Sequence, residues 1–247
     1  MKDILNKIKS KKPLDRLDNE FVVSFLDDFL KKNPKIKNKF QEDKLKKKNL
    51  DLIVKNVRNE LNKIYGQFWL KDDLSLESHR STKERLDTYK NIYKIIFTLT
   101  GKPKKILDLG CGLNPLTYEF IGKDAYFICT ELTDNDCNLL RTYFKKNNIR
   151  GEVIKTDLRT YSNFPEVDIC FMFKLLESLE SKGHSLAEHL INTIKAKYIV
   201  ISFSTLNIHG RRMNYPRRGW LEVMLTRLGY KFSKFEEHNE IFYVVKK

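Results

Sequence analysis

Asp108-Leu109-Gly110-Cys111-Gly112-Leu113-Asn114-Pro115 follows the apolar pair Ile106-Leu107. An acid at the end of a buried run, followed at once by Gly-x-Gly, reads as a strand handing a backbone turn to a ligand. The glycines let the main chain approach closely. A turn built for a pyrophosphate would carry a third glycine at position 115, so that the next helix could pack tightly. Pro115 stands there instead, which favours a nucleoside ligand without a pyrophosphate.

Three more strand ends carry matching chemistry. Glu131, 21 residues beyond Gly110, precedes Leu132 and is placed to accept both hydroxyls of a ribose. Asp157 can accept from an adenine amino group, and Leu158 can cover the ring. Phe173-Lys174-Leu175-Leu176 closes a fourth run, where a reactive methyl would sit. Singly these are weak signals, since an acid after a strand often only caps a helix. In order and at this spacing they point to S-adenosylmethionine, with a dinucleotide as the rival. An exocyclic amine target would call for an Asn-Pro-Pro-Tyr type of motif at the fourth strand end. Lys174-Leu175-Leu176 favours a ring nitrogen, whose lone pair needs alignment more than acid–base help.

Further along, Arg211, Arg212, Arg217 and Arg218 place four guanidinium groups within eight residues, a surface suited to phosphates. Lys174, Met213 and Tyr215 are candidates for holding a target base, which must leave its stack to react. The alternative for Met213 and Tyr215 is ordinary packing on Trp220.

The elements that must position these residues follow from periodicity. Leu17, Phe21, Val22, Phe25, Leu26 and Phe29 form a helical stripe within Leu14–Lys32, ended by Asn33-Pro34. Helical patterns also cover Lys44–Leu70 and Ser81–Leu99, the latter with Ser81 as N-cap and Glu84 completing a capping box. After Gly101-Lys102-Pro103 the period changes. Strands are predicted at Lys105–Leu109, Ala125–Thr130, Glu152–Lys155, Val167–Phe173, Tyr198–Phe203, Tyr230–Glu236 and Ile241–Val245. Helical patterns lie among them at Leu116–Ile121, Asp134–Asn147, Ser185–Ile194 and Trp220–Leu228. This is an α/β chain with a seven-stranded, mostly parallel sheet, a C-terminal antiparallel hairpin and a helical N-terminal domain. The reading is a helical, lysine-rich, RNA-binding domain over 1–100 and a Rossmann-like methyltransferase domain over 101–247.

The formal net charge is +15, and residues 1–100 hold 24 Lys+Arg against 15 Asp+Glu. Within Lys31–Lys48 nine lysines face two acids; Lys44, Lys46, Lys47 and Lys48 end that run. Such a surplus suits RNA, or a lysine-rich proteome that places lysine on every solvated face. Cys111, Cys129, Cys137 and Cys170 show no CxxC spacing, so no zinc site and a reducing, cytoplasmic setting are expected. No run reaches the roughly 18 apolar residues of a membrane span. A monomer is expected.

His79-Arg80-Ser81-Thr82-Lys83-Glu84-Arg85-Leu86 resembles the His-x-Ser-Thr-(Lys/Arg)-Glu-Arg signature of the 16S ribosomal RNA guanine-N7 methyltransferases that confer aminoglycoside resistance. Asp108–Leu116 is similar to their cofactor loop, Phe173–Glu180 to their Phe-Lys-Leu-Leu-Pro-x-Leu stretch, and Val200–Thr205 to their Val-Ser-Phe-Pro-Thr. Gly210–Tyr215 with Trp220 resembles the loop their target base passes. Ser204 replaces a Pro, Glu131 replaces an Asp, and the loop over Asn207–Tyr215 is shorter, with Ile208-His209 in place of a glycine-rich stretch. The resemblance implies S-adenosylmethionine-dependent methylation of guanine N7 in small-subunit ribosomal RNA. It implies that Arg85 pairs with the methionine carboxylate, so that Arg85→Ala would cost cofactor binding and little fold, and that His79, Ser81 and Thr82 help close the site. A transfer RNA substrate, or a non-catalytic ribosome-assembly factor that keeps the cofactor fold, are the alternatives.

Overall fold

The structure, a computed structural model, describes residues 1–122, 124–179, 183–206 and 210–247. Glu180 of the Phe173–Glu180 stretch and Asn207, Ile208 and His209 of the substrate loop lie outside the described residues. Packing divides the chain into two compact units, Met1–Leu70 and Lys71–Lys247.

The first unit is helical. It contains α1 (Lys2–Lys9), α2 (Asn19–Lys32), α3 (Pro34–Gln41) and α4 (Lys47–Ile64). Ile8, Val22, Leu26, Ile53, Val57 and Leu61 repeat at helical spacing and are buried together. Asn33 ends α2 as expected, but Pro34 opens α3 at once, because a first-turn position needs no N–H. Arg58 of α4 donates to Ile8 O (3.0 Å) and to Lys7 O, satisfying carbonyls at the end of α1.

The second unit begins before the sequence boundary at 100. Residues 71–100 group with the sheet, as α5 (Arg80–Lys83) and α6 (Tyr89–Thr100). The continuous helix expected over Ser81–Leu99 is broken, and the capping box does not form. Ser81 Oγ bonds His79 Nδ1 at 2.9 Å, and Glu84 reaches Lys174. Ser81 is taken by a neighbour two residues away and Glu84 by a partner 90 residues away.

The strands are β1 (Lys105–Asp108), β2 (Tyr126–Glu131), β3 (Gly151–Lys155), β4 (Val167–Phe173), β5 (Ala196–Ser204), β6 (Lys231–Glu237) and β7 (Glu240–Lys246). Between them lie α7 (Tyr118–Ile121), α8 (Asp134–Lys146), α9 (Leu176–Leu179), α10 (Ser185–Thr193) and α11 (Gly219–Arg227). The sheet order is β3-β2-β1-β4-β5-β7-β6. The first five are parallel, and β7 runs antiparallel to both β5 and β6. Leu107, Ile128, Cys170 and Ile199 are fully buried, as strands covered on both faces require. The chain reverses direction across the sheet between β1 and β4, so a crevice opens at their carboxyl ends, beside Asp108. Among the described residues no helix is long and apolar enough to cross a membrane.

Candidate active site

Asp108 ends β1 at 1% exposure, and burial pushes its carboxyl up to about 7. Asn114 Nδ2 holds it at 2.6 Å, and Tyr93 Oη in turn meets Asn114 Oδ1 (3.2 Å) and Thr117 Oγ1 (3.0 Å). Gly110 (φ +55°) and Gly112 (φ +54°) sit in the left-handed region. A Cβ at Gly110 would meet Leu175 at 2.7 Å, with Leu158 at 3.9 Å; one at Gly112 would meet the His79 ring at 2.8 Å. A side chain at either position would be strained, and Leu158, Leu175 and His79 converge on the turn.

The turn is braced from β2. Thr130 Oγ1 accepts from Gly110 N at 3.0 Å, and Glu131 accepts from Gly112 N and, at 3.2 Å, from Leu132 N. Burial and the nearby Asp136 raise the Glu131 pKa. Glu131 is no helix cap: Thr133 Oγ1 caps α8 by accepting from Asp136 N. Cys111 is buried, with its Sγ turned to Gly112 O, so only its backbone faces the turn. Pro115 lies buried in a short 3-10 turn, Asn114–Thr117. The turn runs on into α7. Two carboxyls raised by burial on one side-chain-free turn suit a ligand with a positive centre and hydroxyl donors.

An ion network closes the site on the other side. Arg85 Nε and Nη2 donate to Glu240 Oε2 and Oε1 at 2.8 and 2.9 Å, the pair being 2% and 1% exposed. The guanidinium lies over the Phe173 ring, 5.0 Å from its centre. Phe173 itself packs on Phe171 and Phe242 and forms a floor for Arg85. Lys174, at φ +53° after β4, reaches Glu84 Oε2 at 2.5 Å and Glu240 Oε2 at 3.4 Å. Its amine is thus held inside the network instead of standing open to a target base. The fold cost of losing Arg85 is also larger than the sequence alone suggested, because Glu240 would be stranded. Burial and Arg85 push His79 down to about 3, so its ring is neutral. Thr82 Oγ1 ties the segment to Leu76 O (2.6 Å) and His79 O (2.9 Å).

The remaining expectations divide. The Asp157 carboxylate is taken by Arg159, through Nε at 3.0 Å and Nη2 at 2.6 Å, which leaves the adenine role to its unused lone pairs. Arg218 is no phosphate binder. At 8% exposure its guanidinium meets Glu177 (2.7 Å), Pro216 O (2.5 Å) and Ser204 O (2.9 Å), clasping the substrate loop to the end of β5. Arg212 and Arg217 are exposed and paired with Glu236 and Glu222, and Arg211 is exposed. Met213 N bonds Thr205 O at 2.8 Å. Trp220 stacks on His184 at 3.8 Å, whereas Tyr215 is 87% exposed, so, of the two readings of Tyr215, packing on Trp220 is not the one that forms. In the first unit, Lys44, Lys46, Lys47 and Lys48 are exposed, the last three at the start of α4. Sequence reasoning missed Glu240 and gave Glu84 a capping role in place of its bond to Lys174.

The ribosomal RNA methyltransferase (FmrO) family model matches residues 72–244. The 16S rRNA (guanine(1405)-N(7))-methyltransferase of Frankia casuarinae is 24% identical over 178 residues, 70% of this chain and 63% of that protein. The enzyme of the same name from Proteus mirabilis is 28% identical over 177 residues, 69% of this chain and 63% of its own length. The matched region thus spans less than two thirds of these curated relatives. Among solved structures, 16S rRNA methyltransferase RmtF in complex with S-adenosyl-L-homocysteine aligns with a TM-score of 0.76 at 20% identity, covering 100% of this chain and 97% of that one. The 16S rRNA methylase RmtB aligns at 0.74 and 22% identity, covering 100% and 98%. At these identities they establish a shared fold.

Proposed function

The chain belongs to the ribosomal RNA methyltransferase (FmrO) family, and on that premise we propose that it methylates N7 of a guanine in small-subunit ribosomal RNA, as a cytoplasmic monomer. The observation that carries the reading is the pair of burial-raised carboxyls, Asp108 and Glu131, on a glycine turn at the switch point of the sheet. S-adenosylmethionine, when bound, supplies a methyl group on a positively charged sulfur. Asp108, Glu131 and the backbone of Gly110–Gly112 would hold it, with Leu158 and Leu175 against its apolar parts and Arg85 toward its carboxylate.

Guanine N7 attacks through a lone pair and sheds no proton, so what the protein must provide is alignment. His79 suits that requirement. Held neutral, it can orient neighbours but does not place a second cation beside a positive sulfur. On the target side, exposed Tyr215 offers a face for stacking, and Arg211, Arg212 and Arg217 offer charge for phosphates. The lysine-rich helical unit, 1–70, adds a second RNA contact.

The test is labelled methyl transfer to small subunits, free ribosomal RNA and transfer RNA, followed by nucleoside mass spectrometry. The expected product is 7-methylguanosine in small-subunit RNA. Transfer only to transfer RNA would move the substrate, and no transfer to any of the three would refute the enzyme reading.

A further inference from the structure

Tyr89 opens α6 at 1% exposure, and among the described residues its hydroxyl is the buried side-chain polar atom that meets no hydrogen-bond partner. A buried unpaired hydroxyl is costly, and in a native site it needs a reason. Its surroundings supply one. Tyr89 N donates to Arg85 O at 3.0 Å, so the two side chains share one helical face. The next residue on that face, Tyr93, lies with its ring 5.9 Å from that of Tyr89, and its hydroxyl is already engaged by Asn114 and Thr117. Tyr93 thus supports Asp108, while Tyr89 is held in reserve. Arg85 uses Nε and Nη2 on Glu240 and keeps its Nη1 edge.

We propose that the Tyr89 hydroxyl is a cofactor-binding group, donating to the carboxylate of S-adenosylmethionine beside the Nη1 edge of Arg85. The inference rests on the cofactor reading above. The polarity follows from the guanidinium: it draws the hydroxyl oxygen toward itself and turns the hydrogen to an acceptor. A carboxylate has two oxygens for these two donors, which an ammonium group could not use.

Tyr89→Phe removes only the oxygen. Calorimetry would compare S-adenosylhomocysteine with 5′-methylthioadenosine, which lacks the amino-acid portion, on wild type and variant; melting of the ligand-free proteins is followed alongside. The expected result is an affinity loss of about tenfold or more for S-adenosylhomocysteine, no change for methylthioadenosine, and an unchanged or raised melting temperature, because Arg85, the group beside the hydroxyl, keeps both of its bonds to Glu240. Unchanged affinity for S-adenosylhomocysteine, an equal loss for both ligands, or a lowered melting temperature would overturn the role of Tyr89. A wild-type protein that binds neither ligand would instead overturn the cofactor reading itself.

Discussion

Asp108 carries a carboxyl that burial holds near 7 against an ordinary value of about 3.9. The fold favours its neutral form. The stability it costs is therefore absent below about pH 4, grows as pH rises toward 7, and stays level above. A ligand with a positive centre favours the ionised form, so S-adenosylmethionine affinity should rise from about pH 6 to 8 and then flatten. Asn114 holds the carboxyl down, so Asn114→Ala should move that rise to higher pH. Calorimetry across the range measures both, and a flat wild-type profile would remove Asp108 from the site. Arg85 and Glu240 make a different claim. Removing either strands a buried charge and should cost about 3–5 kcal/mol in urea unfolding. The joint replacement Arg85→Met with Glu240→Leu should recover most of that stability yet not restore cofactor binding. If Glu240→Ala proved as stable as wild type, the pair would not be holding the site together.

The turn after β1 depends on backbone that only glycine adopts cheaply. Gly112→Ala costs about 1–2 kcal/mol for a left-handed residue and also drives its Cβ into the His79 ring. We expect a lower melting temperature and loss of cofactor binding together; an alanine variant with normal affinity would show that the turn tolerates a side chain. At this scale the sequence was a good guide. Every strand was legible to within about two residues, because buried parallel strands read as apolar runs and the final pair is separated by a short polar turn. The acids at the ends of β1 and β2 and just after β3 were legible as well, since the Rossmann-like order fixes where strand ends must meet. What could not be read was which charge answers which. Arg85 and Glu240 are 155 residues apart, and Glu84 and Lys174 are 90 apart. No local pattern links them. The same blindness made Glu84 look like half of a helix cap and made Arg218, buried against Glu177 and two carbonyls, look like a surface cation. The division of the chain shifted from 100 to 70 for a related reason: the helical period of residues 81–99 does not reveal that their apolar face is buried with the sheet.

Across the whole molecule the surplus of +15 is divided between both units, and its placement carries information that the total does not. Lys46, Lys47 and Lys48 stand at the N-terminal end of α4, where the helix dipole is already positive and lysine is disfavoured. A solvated face chosen for solubility alone would put them elsewhere, so this end of the helix suits an external anion. If Lys44, Lys46, Lys47 and Lys48 each meet an RNA phosphate, changing all four to Ala should reduce the salt slope of RNA binding, d log K against d log[salt], by roughly 3. Exposed lysines contribute nothing to the core, so melting and cofactor affinity should not change. Arg211→Glu with Arg212→Glu acts at the substrate loop and should abolish methylation while leaving cofactor affinity intact. Measuring RNA affinity over a range of salt concentrations separates the two surfaces. An unchanged slope in the lysine variant would return those residues to the solvated face of a lysine-rich protein and leave RNA capture to the arginine loop.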